Sequence, residues 1–198
     1  MRHKRPADWL PAPEPNPWVR RQSTQIYGNP WISVREDQVV RPDGSPGIYG
    51  VVEPAGIALG VVPVDEEGFT WLVGQFRYPL DHYSWEIPEG GGDPEMDPAA
   101  EAARELREET GLQADHWEPV MTLHTSNCFT SEKALIFLAT GLQPGSARPD
   151  GDERLQLCRL PLSAARDLVL EGMITDAMSA AGLLRVSLLL ERRGILDS

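Results

Sequence analysis

The sequence predicts an α/β fold: an α/β/α sandwich on a mixed sheet, preceded by a short N-terminal strand region and a proline-rich arm. Three observations carry that expectation. Strand-like apolar runs lie both before and after one acidic helical stretch, Arg104 to Leu112. The longest helical pattern, Asp176 to Arg193, comes near the C-terminus. Strands on both sides of a helix, with another helix at the end, pack best as helices covering the two faces of one sheet. Finally, Pro6, Pro11, Pro13, Pro15 and Pro17 crowd the first residues, where they exclude regular helix and sheet.

Each element has its own signal. Residues 1–22 read as an arm that also carries Arg2, Lys4, Arg5, Arg20 and Arg21. Residues 23–55 read as an N-terminal strand region, with Ile32 to Val40, a Pro42-Asp43-Gly44 turn and Gly47 to Val52. Residues 56–198 form the main domain. It opens with the apolar run Ile57 to Val64, a hairpin turn at Asp65 to Gly68 and a returning strand from Phe69 to Phe76. Tyr83 to Ile87 is a strand that leads into the glycine loop Gly90-Gly91-Gly92. The acidic helix ends at Gly111, where a C-terminal glycine is expected. Glu118 to His124, Ala134 to Thr140 and Leu155 to Leu160 are further strands, and Gln143 to Gly151 is a Pro/Gly loop. Ser163 to Glu171 is a short helix ended by Gly172. Thr175 is read as the N-cap of the last helix, with Gly194 past its end.

Composition narrows the function. The 198 residues suit one domain with a full core and an added arm. The net charge of −12 argues against general nucleic-acid binding, which needs a basic surface. No apolar run is long enough for a bilayer, and no apolar signal core follows the first residues. Cys128 and Cys158 are the only cysteines and make no disulfide framework, so a cytoplasmic setting is expected.

The acidic helix is the most informative stretch. Glu105, Glu108 and Glu109 stand at i, i+3 and i+4, so they share one face, with Glu101 one turn earlier on the same stripe. Ala99, Ala102, Ala103 and Leu106 form a separate apolar stripe. Like charges at this spacing destabilise an isolated helix, so such a cluster is either a solvated face or a cation holder. A strand, a glycine loop and then a glycine stop around the helix favour the second reading.

With these residues in place, the stretch Gly90 to Leu112 resembles the Nudix box. That box is the signature of hydrolases that split nucleoside diphosphates linked to another group. Gly90, Arg104, Glu105, Leu106, Glu108, Glu109, Gly111 and Leu112 fit its spacing. The first glutamate of the box falls on Met96, flanked by Glu95 and Asp97. The resemblance implies the Nudix α/β/α fold. It also implies a magnesium cofactor, with manganese as the alternative, held by Glu105 and Glu109 and by the backbone carbonyl of Glu89. Glu108 would join the metal cluster or position water. Arg104 would pair with a carboxylate and orient the helix. Magnesium prefers such oxygen ligands.

Beyond the box, the chain resembles the ADP-ribose and ADP-sugar pyrophosphatase branch. Gln75-Phe76-Arg77-Tyr78-Pro79 matches a stretch of that branch, which implies that Arg77 contacts the diphosphate. Ser84-Trp85-Glu86-Ile87-Pro88 matches the strand before the box, and Glu86 would add to the metal or ribose site. Ser126 to Glu132 matches a sugar-pocket loop in which Glu132 would hydrogen-bond the terminal sugar. Asn127 and Cys128 depart from that loop's pattern and leave the sugar open. Trp31 lies where the branch stacks an aromatic on the base, with core or dimer packing as the other reading. Counting back from Leu160-Pro161, Glu153 aligns with the branch's loop glutamate that activates water, and Asp152 is next in line. The branch also implies a homodimer in which N-terminal strands take part.

These expectations add up to a magnesium-dependent hydrolase of a nucleoside diphosphate sugar, with ADP-ribose or an ADP-sugar first. A GDP-mannose or other dinucleotide hydrolase is the enzymatic rival. A non-catalytic Nudix-fold ligand-binding module is the rival from another class. Neither nucleic acid nor membrane is expected as a partner.

Overall fold

A computed structural model describes residues 9–146 and 154–195. The first three strands, β1 (Val19–Gly28), β2 (Ile32–Val40) and β3 (Pro46–Pro54), form an antiparallel sheet of their own. β1 starts directly after the last proline of the arm, so residues 19–22, read as arm from the sequence, are strand. The Pro42-Asp43-Gly44 turn is present: Gly44 N–H donates to Arg41 O, and Gly44 has φ +84°.

The main body is built around β4 (Ile57–Pro63). This strand pairs antiparallel with β7 (Glu89–Gly92) and parallel with β9 (Lys133–Pro144), and β8 (Leu112–His124) completes the mixed sheet. Helix α1 (Pro98–Thr110) covers one face. There Leu59, Val61, Phe137 and Ala139 meet Ala102 and Leu106. The opposite face carries Val62, Ile136 and Leu138 against Leu183, Val186 and Leu190 of α3 (Ala177–Arg192). Both faces of β4 are therefore buried. That is why its sequence is a continuous apolar run rather than an alternating one. A second antiparallel sheet, β10 (Gln156–Pro161), β5 (Phe69–Arg77) and β6 (His82–Glu86), packs with α2 (Leu162–Leu170) into the same core as α3.

Several local expectations are corrected. Asp65 does organise a turn: its Oδ1 accepts from Glu67 N at 3.0 Å and Phe69 N at 2.9 Å. The strands it joins are not a hairpin, however. β4 and β5 belong to different sheets, and the turn carries the chain from one layer to the other. The glycine loop is a strand, because Gly90 to Gly92 pair with Leu59, Ala58 and Ile57. β8 begins at Leu112, immediately after the α1 glycine stop, rather than at Glu118. The N-cap of α3 is Asp176, not Thr175: its carboxylate accepts from Ser179 N at 2.7 Å. Among the described residues, no helix is long and apolar enough to cross a membrane.

Candidate active site

Helix α1 is fixed at both ends by local chemistry. Asp97 caps its start by accepting from Ala99 N. Gly111, at φ +75°, closes it by donating to Arg107 O, a conformation that L side chains rarely adopt. Between these caps, Ala102 and Leu106 are driven into the core, which turns the glutamate stripe toward β7.

The contact between α1 and β7 is close. A Cβ on Gly90 would lie 2.3–2.6 Å from the carboxylate atoms of Glu105, so a side chain here would displace it. Glu109, which is buried, accepts from Glu89 N at 3.0 Å. Arg104 ties the cluster together. Its Nη1 donates to Glu108 at 2.7 Å, and its Nη2 to Glu105 at 2.7 Å, Glu101 at 3.2 Å and Gly91 O at 3.0 Å. Arg104 is thus paired with three carboxylates of its own helix, Glu101, Glu105 and Glu108. These neighbours push its pKa up against the opposing effect of its burial.

A cavity of about 640 Å³ opens beside β7. Trp31, Arg77, Glu86, Glu89 and Glu132 all line it, together with Gly90, Gly91, Thr125 and Asp176. Arg77 donates to both oxygens of Glu86 at 2.5–3.0 Å and to Glu89 at 2.9 Å. Thr125 donates to Glu132 at 2.5 Å and holds that carboxylate in place. Trp31 is 74% exposed at the rim, which removes the reading that it is core packing of this chain. Glu105, Glu108 and Glu109 are not among the lining residues. Glu153, with Asp152, lies outside the described residues.

The structure adds Asp176, which the sequence reading passed over. Carboxylate oxygens of Glu86, Glu89 and Asp176 lie within 4.8 Å of one another. Burial, reinforced by Asp176 and Glu86, pushes the Glu89 carboxyl well above the usual range. Its Oε2 is buried with no hydrogen-bond partner among the described residues. The signal for Asp176 was present, since Asp is as good an N-cap as Thr, but its position beside Glu89 depends on how α3 packs. An all-carboxylate donor set with an orphaned buried oxygen fits a hard divalent cation.

Comparison with known proteins gives the family and the fold. A family model described as the NUDIX domain matches residues 54–177. A second, the nucleoside diphosphate sugar hydrolase N-terminal domain, matches residues 18–52. The chain is 36% identical over 171 residues to an ADP-ribose pyrophosphatase of Mycobacterium tuberculosis, covering 83% of this chain and 80% of that protein. It is 32% identical over 158 residues to an ADP-ribose pyrophosphatase of Bacillus subtilis, covering 79% and 85%. A crystal structure of an ADP compounds hydrolase superposes with a TM-score of 0.83 over 93% of this chain and 100% of that one. At 22% identity it establishes the shared fold.

Proposed function

The chain belongs to the Nudix hydrolase family, and from that premise we propose that it hydrolyses the diphosphate of a nucleoside diphosphate sugar, ADP-ribose or an ADP-sugar first. The products are a nucleoside monophosphate and a sugar phosphate. The observation that carries the proposal is the convergence of Trp31, Arg77, Glu86, Glu89 and Glu132 on one cavity beside the glycine strand. Those residues come from separate parts of the chain: the resemblance assigns Trp31 to the base, Arg77 to the diphosphate and Glu132 to the sugar, with Glu86 for the metal or ribose and Glu89 for the metal.

In this reading Arg77 binds the diphosphate, since a guanidinium matches phosphate oxygens bidentately. Glu86 and Glu89 hold it ready at the cavity wall. Trp31 stacks on the base, and Glu132, held by Thr125, takes a sugar hydroxyl. Glu105, Glu109 and the Glu89 carbonyl would hold a divalent cation, magnesium first and manganese as the alternative, with Glu108 beside them. When bound, that cation polarises the phosphoryl oxygens as a Lewis acid. Glu153 takes a proton from the attacking water, whose oxygen bonds to phosphorus as the diphosphate bridge breaks. Asp152 and Glu108 are the alternatives for that base. The N-terminal sheet assembles a homodimer.

The test is hydrolysis with magnesium across ADP-ribose, ADP-sugars and GDP-mannose, for the native chain and for Glu105→Gln, Glu109→Gln and Glu153→Gln. Glu105→Gln and Glu109→Gln are expected to lose turnover by orders of magnitude. Glu153→Gln should lose about 10²–10⁴-fold with substrate binding kept. Near-normal turnover in both helix variants would overturn the metal assignment. An active Glu153→Gln beside a dead Glu108→Gln would move the base to the helix.

A further inference from the structure

The Arg104 guanidinium is over-subscribed. Its Nη2 carries two hydrogens but faces three acceptors: Glu105 Oε1 at 2.7 Å, Gly91 O at 3.0 Å and Glu101 Oε2 at 3.2 Å. Glu101 also reaches the chain just after β7, where its Oε2 accepts from Asp93 N at 3.5 Å. Its position is set by packing, since a Cβ on Gly92 would stand 3.3 Å from Glu101 Cβ. Met96, on the turn between β7 and α1, is 54% exposed.

We propose that Glu101 is a positioning residue for the cation-binding helix: it keeps Arg104 at the junction of β7 and α1 when Glu105 turns to a cation. The hydrogen count supports this. Once Glu105 leaves, each of the two Nη2 hydrogens still has an acceptor, Gly91 O and Glu101. Without the Glu101 carboxylate, Arg104 has one charged acceptor fewer and holds Glu105 more tightly. A cation must then compete with a guanidinium for the same oxygen. Glu101 itself stays off the cation. The proposal rests on the reading of Glu105 as a ligand.

The experiment is Mn²⁺ titration of the full, metal-stripped chain by electron paramagnetic resonance, with melting temperatures measured alongside. Glu101→Gln and Glu101→Ala should bind Mn²⁺ about fivefold or more weakly, the scale of one charge-assisted contact shifted onto Glu105. Their melting temperatures should barely move, because partly exposed ion pairs add little to stability. In an Arg104→Ala background, Glu101→Gln should have no further effect on Mn²⁺ affinity, since it acts through Arg104. Mn²⁺ affinity within about twofold of native for both Glu101 variants, or an equal loss in the Arg104→Ala background, would overturn the proposal. Glu105→Gln separates the two layers. If it binds Mn²⁺ normally, the ligand reading fails and this inference with it. If it binds poorly while the Glu101 variants are normal, only this inference fails.

Discussion

Glu89 is the residue at which the sequence and the folded protein differ most. The family resemblance gives a role only to its backbone carbonyl, just ahead of Gly90. Folding also puts its side chain into a buried corner with Glu86 and Asp176, against a single guanidinium, that of Arg77. Its carboxyl is therefore raised, by burial first and by Asp176 and Glu86 next. The sign of the stability effect follows. Between the ordinary carboxylate range and the raised folded value, the native protein keeps a proton that the unfolded chain has released. Stability from this group is then present at low pH and is lost as pH rises through the raised value. Glu89→Gln removes that loss and leaves an oxygen for Arg77. In chelator-containing buffer its melting temperature should exceed the native one at pH 8, and the gain should shrink toward pH 5. Each kcal/mol corresponds to roughly 2–4 °C in a chain of this size. A difference that does not vary with pH would refute the account. The spacing of Glu105 and Glu109 was legible because helix periodicity is local. The Glu89–Asp176 contact was not, because it depends on where α3 docks.

At the level of elements, β7 and α1 act as a pair. The apolar run of β4 and the acidic stripe of α1 were readable because burial imposes a pattern on a strand or helix whatever its partner. Partner choice leaves no such trace. Nothing local says that β4 pairs parallel with β9, or that the Asp65 turn changes sheets instead of closing a hairpin. Likewise, three consecutive glycines read as a loop because glycine weakens strands, yet a Cβ would crowd Glu105 of α1 at Gly90, and Leu59 and Glu101 at Gly92. This gives a paired prediction. A Cβ on Gly90 would collide with the Glu105 carboxylate, whereas a Cβ on Gly91 would meet nothing within 4 Å. Gly90→Ala should keep the fold, because a flexible side-chain tip can move aside. By displacing Glu105 it should lower turnover by about tenfold or more, as misplacement by an ångström is costly. Gly91→Ala should stay near native. Equal activity in the two variants, measured at saturating magnesium, would show that the Glu105 position is not critical.

For the whole molecule, the N-terminal sheet poses the remaining question, since it is attached along one side only. β3 joins the body through Val52, whose N–H donates to Phe129 O and whose carbonyl accepts from Ser131 N, and Tyr49 donates to Cys128 O. β1 lies at the far edge, and all ten of its residues are exposed. Strand register aligns Val19 with Val40, Tyr27 with Val34 and Val52, and Ile48 with Gln38, which puts Val19, Tyr27 and Ile48 on one face. All three are exposed apolar side chains. An open strand edge and an apolar face together invite association, and a second copy of this chain supplies a matching pair of both. The native chain should therefore run as a dimer in size-exclusion chromatography with light scattering. Ile48→Glu combined with Tyr27→Glu should run as a monomer, because burying two charges at such an interface is unfavourable. The site should register the change as well. Pro30, Trp31, Pro54 and Ala55 line the cavity, and all belong to this N-terminal region or its junction with β4. Loosening the sheet should therefore raise KM for the nucleotide sugar, while kcat stays largely intact, because neither substitution touches the acidic helix. A native chain that is monomeric at assay concentration, with an unchanged KM in the double variant, would mean that the exposed face serves neither assembly nor the rim of the site.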